Sequence, residues 1–235
     1  MKKSITANKG KQLSTTVEGI EYVRLPIKTK VVTSKDDIVK LCIRKTKRHL
    51  KKGDILFISE KIVAISQGRA YPIAKIEVSK LAHFLQSHVT KTPAGIGLGS
   101  PWTMQLALNE VGITRILIAA GVAAITKPLG IRGLFYHIAG RKAAAIDGPC
   151  AYTLPPFNKY AKLAPINPSK VAREIKASLG DHDVVIIDAN DLGVEILGVS
   201  HRKVDKKLCK AVFKDNPLGQ ESQQTPLCIL RAITV

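Results

Sequence analysis

Apolar and polar positions change period several times along the chain, and each change marks a predicted element. Ile20, Tyr22 and Arg24 alternate and run into Leu25-Pro26-Ile27, which reads as a strand interrupted at its proline. Ser34 is placed to cap a helix with Asp36 and Asp37 in its first turn and a stripe of Ile38, Leu41, Cys42 and Leu50. Gly53-Asp54 then turns the chain into Ile55 through Val63, a β-branched run expected to be a buried strand with Glu60 and Lys61 in its midst. A charge pair there must be solvated, mutually paired or engaged by a ligand, because an unpaired buried charge is costly.

The same reading predicts helices over residues 79–89, from Ser100-Pro101 through Val111, from Asn167-Pro168 to Leu179, and over 204–213. Strands are expected over 112–126, over 183–188 ending in acid, and over 226–230. Residues 132–137 and 141–146 suggest a hairpin, with His137 as a core histidine, and Gly95-Ile96-Gly97-Leu98-Gly99 reads as an anion-cradling loop or a plain turn. No βα period repeats, so the expected fold class is α+β (mixed α/β) in two lobes. Residues 1–16 would be a basic flexible tail, 17–150 an N-terminal lobe and 151–235 a C-terminal lobe, with Pro155-Pro156 and Pro165 stiffening the connection.

Charge narrows the partners. Thirty-seven Lys and Arg face 18 acids, a formal net charge of +19, and residues 1–52 hold +11 of it. Such a surface attracts anions of every kind, nucleic acid included. Aromatic content of 5% and the absence of a stacking, zinc or helix-turn-helix signature argue against nucleic acid as the partner. Cys42, Cys150, Cys209 and Cys228 have neither C-x-x-C nor zinc spacing, which fits reduced thiols in a cytoplasmic protein. The N-terminus lacks the apolar core of a secretory signal, and the longest apolar run, 116–126, is too short for the ~20 residues that span a bilayer, so no membrane partner is expected.

With acids this scarce, three stretches stand out: Ala145-Ile146-Asp147-Gly148, Ile187-Asp188-Ala189-Asn190-Asp191-Leu192-Gly193 and Asp215-Asn216-Pro217-Leu218-Gly219-Gln220. Each puts hard oxygen donors at the rim of an apolar segment, where a divalent ion can meet a bound phosphate. A plainer reading makes Asp147-Gly148-Pro149 a turn, Asp188 a cap and Gln220 surface.

Read in order, the segments resemble the coenzyme F-420 γ-glutamyl ligase family. Leu25-Pro26-Ile27-Lys28 is similar to that family's opening motif. Gly53-Asp54-Ile55-Leu56, continuing through Ser59-Glu60-Lys61-Ile62-Val63 to Gln67-Gly68-Arg69, is similar to its N-terminal strand motif. Ala145-Ile146-Asp147 and Val185-Ile186-Ile187-Asp188 resemble the segments carrying its metal-binding aspartates. Gly219-Gln220 with Pro226-Leu227-Cys228-Ile229-Leu230-Arg231 resembles its C-terminal segment. Two departures touch the nucleotide and acceptor sides: Ile65 stands where the family pattern has Lys, and Ala189 where it has Ser or Thr.

The resemblance implies a GTP-dependent ligase that adds L-glutamate to an anionic cofactor acceptor, tetrahydrofolate or the deazaflavin coenzyme, through an acyl phosphate. It implies Mg²⁺ or Mn²⁺ held by Asp147, Asp188 and Gln220, with Asp191 in reserve. Nucleotide contacts would come from Leu25, Pro26, Ile27, Glu60, Lys61, Gly219, Pro226 and Leu227, and the assembly would be an intertwined homodimer. Asp147 and Asp188 are the expected catalytic positions, while Arg132, Arg141 and Lys142 are candidates for the acceptor's acidic groups. A basic nucleic-acid-binding protein and an inactive protein of the same fold are the competing readings.

Overall fold

The computed structural model describes residues 5–89, 97–131, 133–190, 193–219 and 221–233. Its strands are β1 (Ser14–Val17), β2 (Ile20–Ile27), β3 (Ile55–Ser59), β4 (Ala70–Pro72), β5 (Tyr160–Lys162), β6 (Asp183–Asn190), β7 (Gly193–Val199) and β8 (Leu227–Ile233). Its α-helices are α1 (Ile38–Thr46), α2 (Glu60–Ser66), α3 (Lys80–Ser87), α4 (Pro101–Val111), α5 (Ile113–Thr126), α6 (Leu134–Ala139), α7 (Arg141–Ala144), α8 (Pro168–Leu179) and α9 (Lys206–Val212). The expected α+β class holds. Two compact units form, Met1–Gly68 with Pro165–Val235, and Arg69–Ala164. The chain thus crosses between units after residues 68 and 164 rather than once after 150.

The first unit is a six-stranded sheet in the order β1-β2-β8-β3-β6-β7, parallel only between β3 and β6. Glu18 and Gly19, both at positive φ, make the two-residue turn that joins β1 to β2. Leu56, Phe57 and Ile58 of the interior strand β3 are fully buried, as a strand covered on both faces requires. One face packs against α9 through Phe57, Val185, Ile187, Cys209, Val212 and Phe213, with the Phe57 and Phe213 rings stacked at 4.1 Å. Helices α2 and α8 cover the other face. There β7 bulges: Ile186 pairs with Gly198 and Ile187 with Ile196. Gly198 has no alternative, because a Cβ on it would lie 2.5 Å from the backbone of Pro168 and Ser169 at the start of α8.

Two ion pairs, each with one buried partner, tie this unit together. Arg24, 1% exposed, pairs with Asp215 and donates to the carbonyls of Gln12, Val212 and Ser14. Arg231 grips Asp54 with two nitrogens, at 2.9 and 2.6 Å, and also donates to the His49 carbonyl. In the second unit α3 to α7 and the β4-β5 ribbon enclose a separate core that includes Ala82, Leu98, Met104, Ala107, Ile116 and Ile146. Glu110 there accepts from both Arg69 (3.0 Å) and Lys142 (3.2 Å).

Several expectations are corrected. Residues 112–126 are not a strand but α5, whose 14 residues and high alanine content suit a helix better than a sheet. The strand 55–63 stops at Ser59, and Glu60 opens α2, where a carboxylate is favoured by the helix dipole. The proposed hairpin is instead α6 and α7, and His137 is exposed rather than core, while Arg132 lies outside the described residues. Asp37, not Ser34, caps α1, accepting from the Lys40 N–H, and the helix ends before Leu50. Pro26 does not break β2; it lies beyond the stretch where β1 pairs, so no ladder bond on that side is lost. The N-terminal segment docks from Asn8 onward: its side-chain amide donates to the Pro217 carbonyl and to Thr225 Oγ1, both at 2.8 Å. Among the described residues no single helix is long and apolar enough to cross a membrane.

Candidate functional site

Strand register brings most of the singled-out segments of the first unit to one end of its sheet. Ile27 pairs with Leu227, Leu227 with Ile58, and Ile58 with Ile186, so these four residues form one row across β2, β8, β3 and β6. One step beyond this row lie Ser59, Ile187 and Pro226, the Pro226 carbonyl accepting the Ser59 N–H at 2.8 Å. Glu60, Lys61 and Asp188 follow directly. This is the C-terminal end of the parallel pair β3 and β6, the place where open α/β sheets leave a ligand crevice.

The charged groups at that end include both carboxylates and a lysine. Glu60, 4% exposed, is the first residue of α2, and Lys61 behind it is half-buried. Asp188, half-buried on β6, stands opposite Glu195 of β7. Residues 185, 187 and 189 face α9, as do their partners 194 and 196, so Asp188 and Glu195 share the opposite face. Directly opposed carboxylates repel unless a positive group lies beside them. Glu195 escaped sequence reasoning because only the register of the β6-β7 hairpin reveals its place.

The loop between α9 and β8 is fixed at the same end. Thr29, just past β2, donates its N–H to the Gln224 carbonyl at 2.9 Å, and Thr225 Oγ1 donates to the Leu218 carbonyl at 2.8 Å. Gly219 turns there with φ +77°, and a Cβ would meet the Gln223 side chain at 2.7 Å. Gln220 and Asp191 lie outside the described residues, as do Gly95 and Ile96 of the glycine-rich stretch. Leu25 is half-buried, Pro26 intervenes, and Ile27 and Leu227 are buried, so what these four offer a ligand is chiefly backbone.

Asp147 belongs to the second unit. It exchanges both backbone hydrogen bonds with Lys162, at 2.9 and 2.8 Å, and its exposed carboxylate lies 3.3 Å from the buried Lys162 ammonium. Lys142, proposed for acceptor binding, is engaged with Glu110, and Arg141 is exposed. Among the described residues no three His, Cys, Asp or Glu side chains cluster as a metal-binding group. Ile65, standing where the family pattern has Lys, is 5% exposed within α2. It is a core residue here.

Roles for Asp54 and Arg231 are clear from the structure. Asp54 accepts the Lys51 N–H at 2.7 Å and both Arg231 nitrogens, so the Gly53-Asp54 motif anchors the start of β3 to β8. Arg69, at the end of the second motif, donates to the Ala164 carbonyl at 2.5 Å and pairs with Glu110. Both are architectural.

No curated protein matches the chain. A family model described as F420-0:gamma-glutamyl ligase matches residues 26–201, a stretch that opens at Pro26 and takes in Asp54, Glu60, Arg69, Asp147, Asp188 and Glu195. Covering well over half of 235 residues, that match establishes that the chain belongs to the F420-0:gamma-glutamyl ligase family.

Proposed function

We propose that the chain is a nucleotide- and divalent-metal-dependent γ-glutamyl ligase that joins L-glutamate to a carboxylate of a cofactor acceptor, tetrahydrofolate or a deazaflavin coenzyme, with GTP as co-substrate. The observation that carries this reading is the gathering of Ile27, Glu60, Asp188 and Leu227 at one sheet end, within a chain matched to the family over 26–201. In the first step an acceptor carboxylate oxygen bonds to the γ-phosphorus as the bond to the GDP oxygen breaks. In the second the glutamate α-amine attacks the acyl carbon, phosphate leaves and the amine gives up a proton. Both steps bring polyanions together, so positioning and charge neutralisation dominate the barrier.

Asp188, opposed by Glu195, offers the carboxylate oxygens that a hard cation prefers. Bound Mg²⁺ or Mn²⁺ would offset the phosphate charge. Asp188 would hold it, with Gln220 and, in reserve, Asp191. The backbone of Leu25, Pro26, Ile27, Gly219, Pro226 and Leu227 would line the nucleotide, with Glu60 and Lys61 orienting it from the start of α2. The wide exposed apolar surface of α5, with Ile113, Leu117, Ile118 and Ile125 between 43% and 70% exposed, supports a homodimer that covers it. Four free cysteines support a cytoplasmic location.

Incubating the protein with GTP, Mn²⁺, labelled glutamate and each acceptor in turn should give a product heavier by whole glutamyl units with one of them. Absence of product with both acceptors, under GTP and ATP alike, refutes the reading. Retained GDP binding without product would instead mark an inactive member of the fold.

A further inference from the structure

The sequence places most of the charge excess in residues 1–52, but the structure draws attention to a second basic region. Residues 201–214 contain six Lys or Arg and one acid. All six cations, Arg202, Lys203, Lys206, Lys207, Lys210 and Lys214, are exposed. Leu208, Cys209 and Val212 seat α9 on the sheet, and at 100° per residue Lys206, Lys207 and Lys210 fall on the opposite side. Lys214 continues that side one turn later. The single acid, Asp205, is occupied as the helix cap, accepting the N–H groups of Lys207 (2.8 Å) and Leu208 (3.0 Å). Among the described residues none of the six cations forms an ion pair.

Helix electrostatics do not explain this stripe. Arg44 and Lys45 close α1 at its C-terminal end, where cations complement the dipole. Lys206 and Lys207 lie in the first turn of α9, where the same dipole disfavours them and the single Asp205 cap offsets only part of the cost. Clustered like charges that reduce stability and engage no internal partner are suited to an external polyanion.

The side chains narrow its chemistry. Five of the six are lysines, mobile point charges that can follow the repeating phosphates of a backbone without bidentate geometry. The one Phe, Tyr or Trp in this region, Phe213, is buried against Phe57, so apart from the imidazole of His201 no ring there offers a platform for unstacked bases. The seven residues of α9 extend about 10 Å, alongside about three phosphates of one duplex strand at one per ~3.4 Å.

We infer that the α9 surface binds the backbone of double-stranded nucleic acid without reading its sequence. This inference does not rest on the ligase reading. It replaces the expectation, drawn from aromatic content, that nucleic acid is not a partner.

Fluorescence anisotropy with a labelled 20-base-pair DNA duplex, from 50 to 200 mM KCl, tests it on the full chain. The parent should bind with an affinity that falls steeply with salt. Lys206→Gln/Lys207→Gln/Lys210→Gln/Lys214→Gln should weaken binding at least ~10-fold at low salt and flatten the log–log salt slope by about 3 to 4. A control with the same charge loss on the α1 side, Lys35→Gln/Lys47→Gln/Lys51→Gln/Lys52→Gln, should stay within about 3-fold of the parent, since a localised surface loses little from distant charges. The thermal midpoint of the α9 variant should equal or exceed the parent's, because the first-turn cations are gone. Should that variant fail to fold, Lys210→Glu/Lys214→Glu, which leaves the first turn intact, decides by the same binding criteria. Equal weakening in the two Gln variants overturns the inference, as does no duplex binding by the parent. Tighter binding of poly-γ-glutamate or of the single strand than of the duplex at equal salt also overturns it.

Discussion

Arg24 offers the sharpest stability test of this architecture, because one buried side chain holds the N-terminal segment, β2 and the end of α9 at once. Replacing it with Met keeps most of the length and apolar volume, so the change is chiefly the loss of the guanidinium. The carbonyls of Gln12 and Val212, reached at 2.7 and 3.1 Å, lose their donor, at about 1 to 3 kcal/mol for each that stays dry. Asp215 also loses its partner, but its side chain is 48% exposed and rehydrates, so it adds little. Desolvation of the charge, relieved in the variant, offsets part of this. The balance is a loss of about 3 kcal/mol, a midpoint lower by roughly 6 to 12 °C for a chain of this size. Asp215→Asn should cost only about 1 kcal/mol, because Arg24 keeps its carbonyl acceptors. Guanidinium unfolding followed by far-ultraviolet circular dichroism gives both values, and faster proteolysis of residues 5–13 in Arg24→Met supplies a local readout. A variant within ~0.5 kcal/mol of the parent, or equal losses for both substitutions, would refute the assignment of the energy to the carbonyl contacts.

Other outcomes follow from the same structure. Gly198→Ala forces a methyl group against the backbone of Pro168 and Ser169, so α8 must shift, at a cost of about 1 to 3 kcal/mol in a chemical denaturation curve. Of the four thiols, Cys150 alone should react quickly with a disulfide reagent at pH 8. Burial raises Cys42 and Cys228 far above the usual thiol range, and burial with Asp205 nearby pushes Cys209 up to about 12. Burial tends to raise the Asp183 pKa, but Lys176 at 2.8 Å and the Ser200 hydroxyl at 3.0 Å outweigh it and hold the group below 3.8. A depressed folded value means stabilisation present above pH 3.8 and lost as pH falls through that lower value. Asp183→Asn should therefore lower the midpoint near neutrality and converge with the parent in strong acid.

What the sequence disclosed depended on how local the signal was. The helices opening at Ser100-Pro101 and Asn167-Pro168 were legible because proline, joined in the first by the Ser100 cap, acts on its own turn. Residues 55–59 and 183–188 were legible as strands because both faces are largely buried and the run is β-branched. The segment 112–126 misled because an apolar run carries no period, and only its length distinguishes helix from strand. The candidate site divides the same way. Asp188 at the end of an apolar strand could be read directly, whereas its neighbour Glu195 depends on hairpin register, and the split of Asp147 from Asp188 between two units depends on where the chain crosses. The basic stripe of α9 was hidden among 37 cations until the structure showed which of them share a face.

The account stands or falls on the end of the sheet where Ile27, Glu60, Asp188 and Leu227 gather. Calorimetric titration of GDP in the presence of Mn²⁺ tests it most directly, comparing the parent with Asp188→Ala and with the distant surface variant Glu174→Ala. The parent and Glu174→Ala should bind GDP alike, and Asp188→Ala should lose at least ~10-fold in affinity, the usual scale for removing a metal-site residue. Equal binding by all three proteins, or none by the parent, would contradict it.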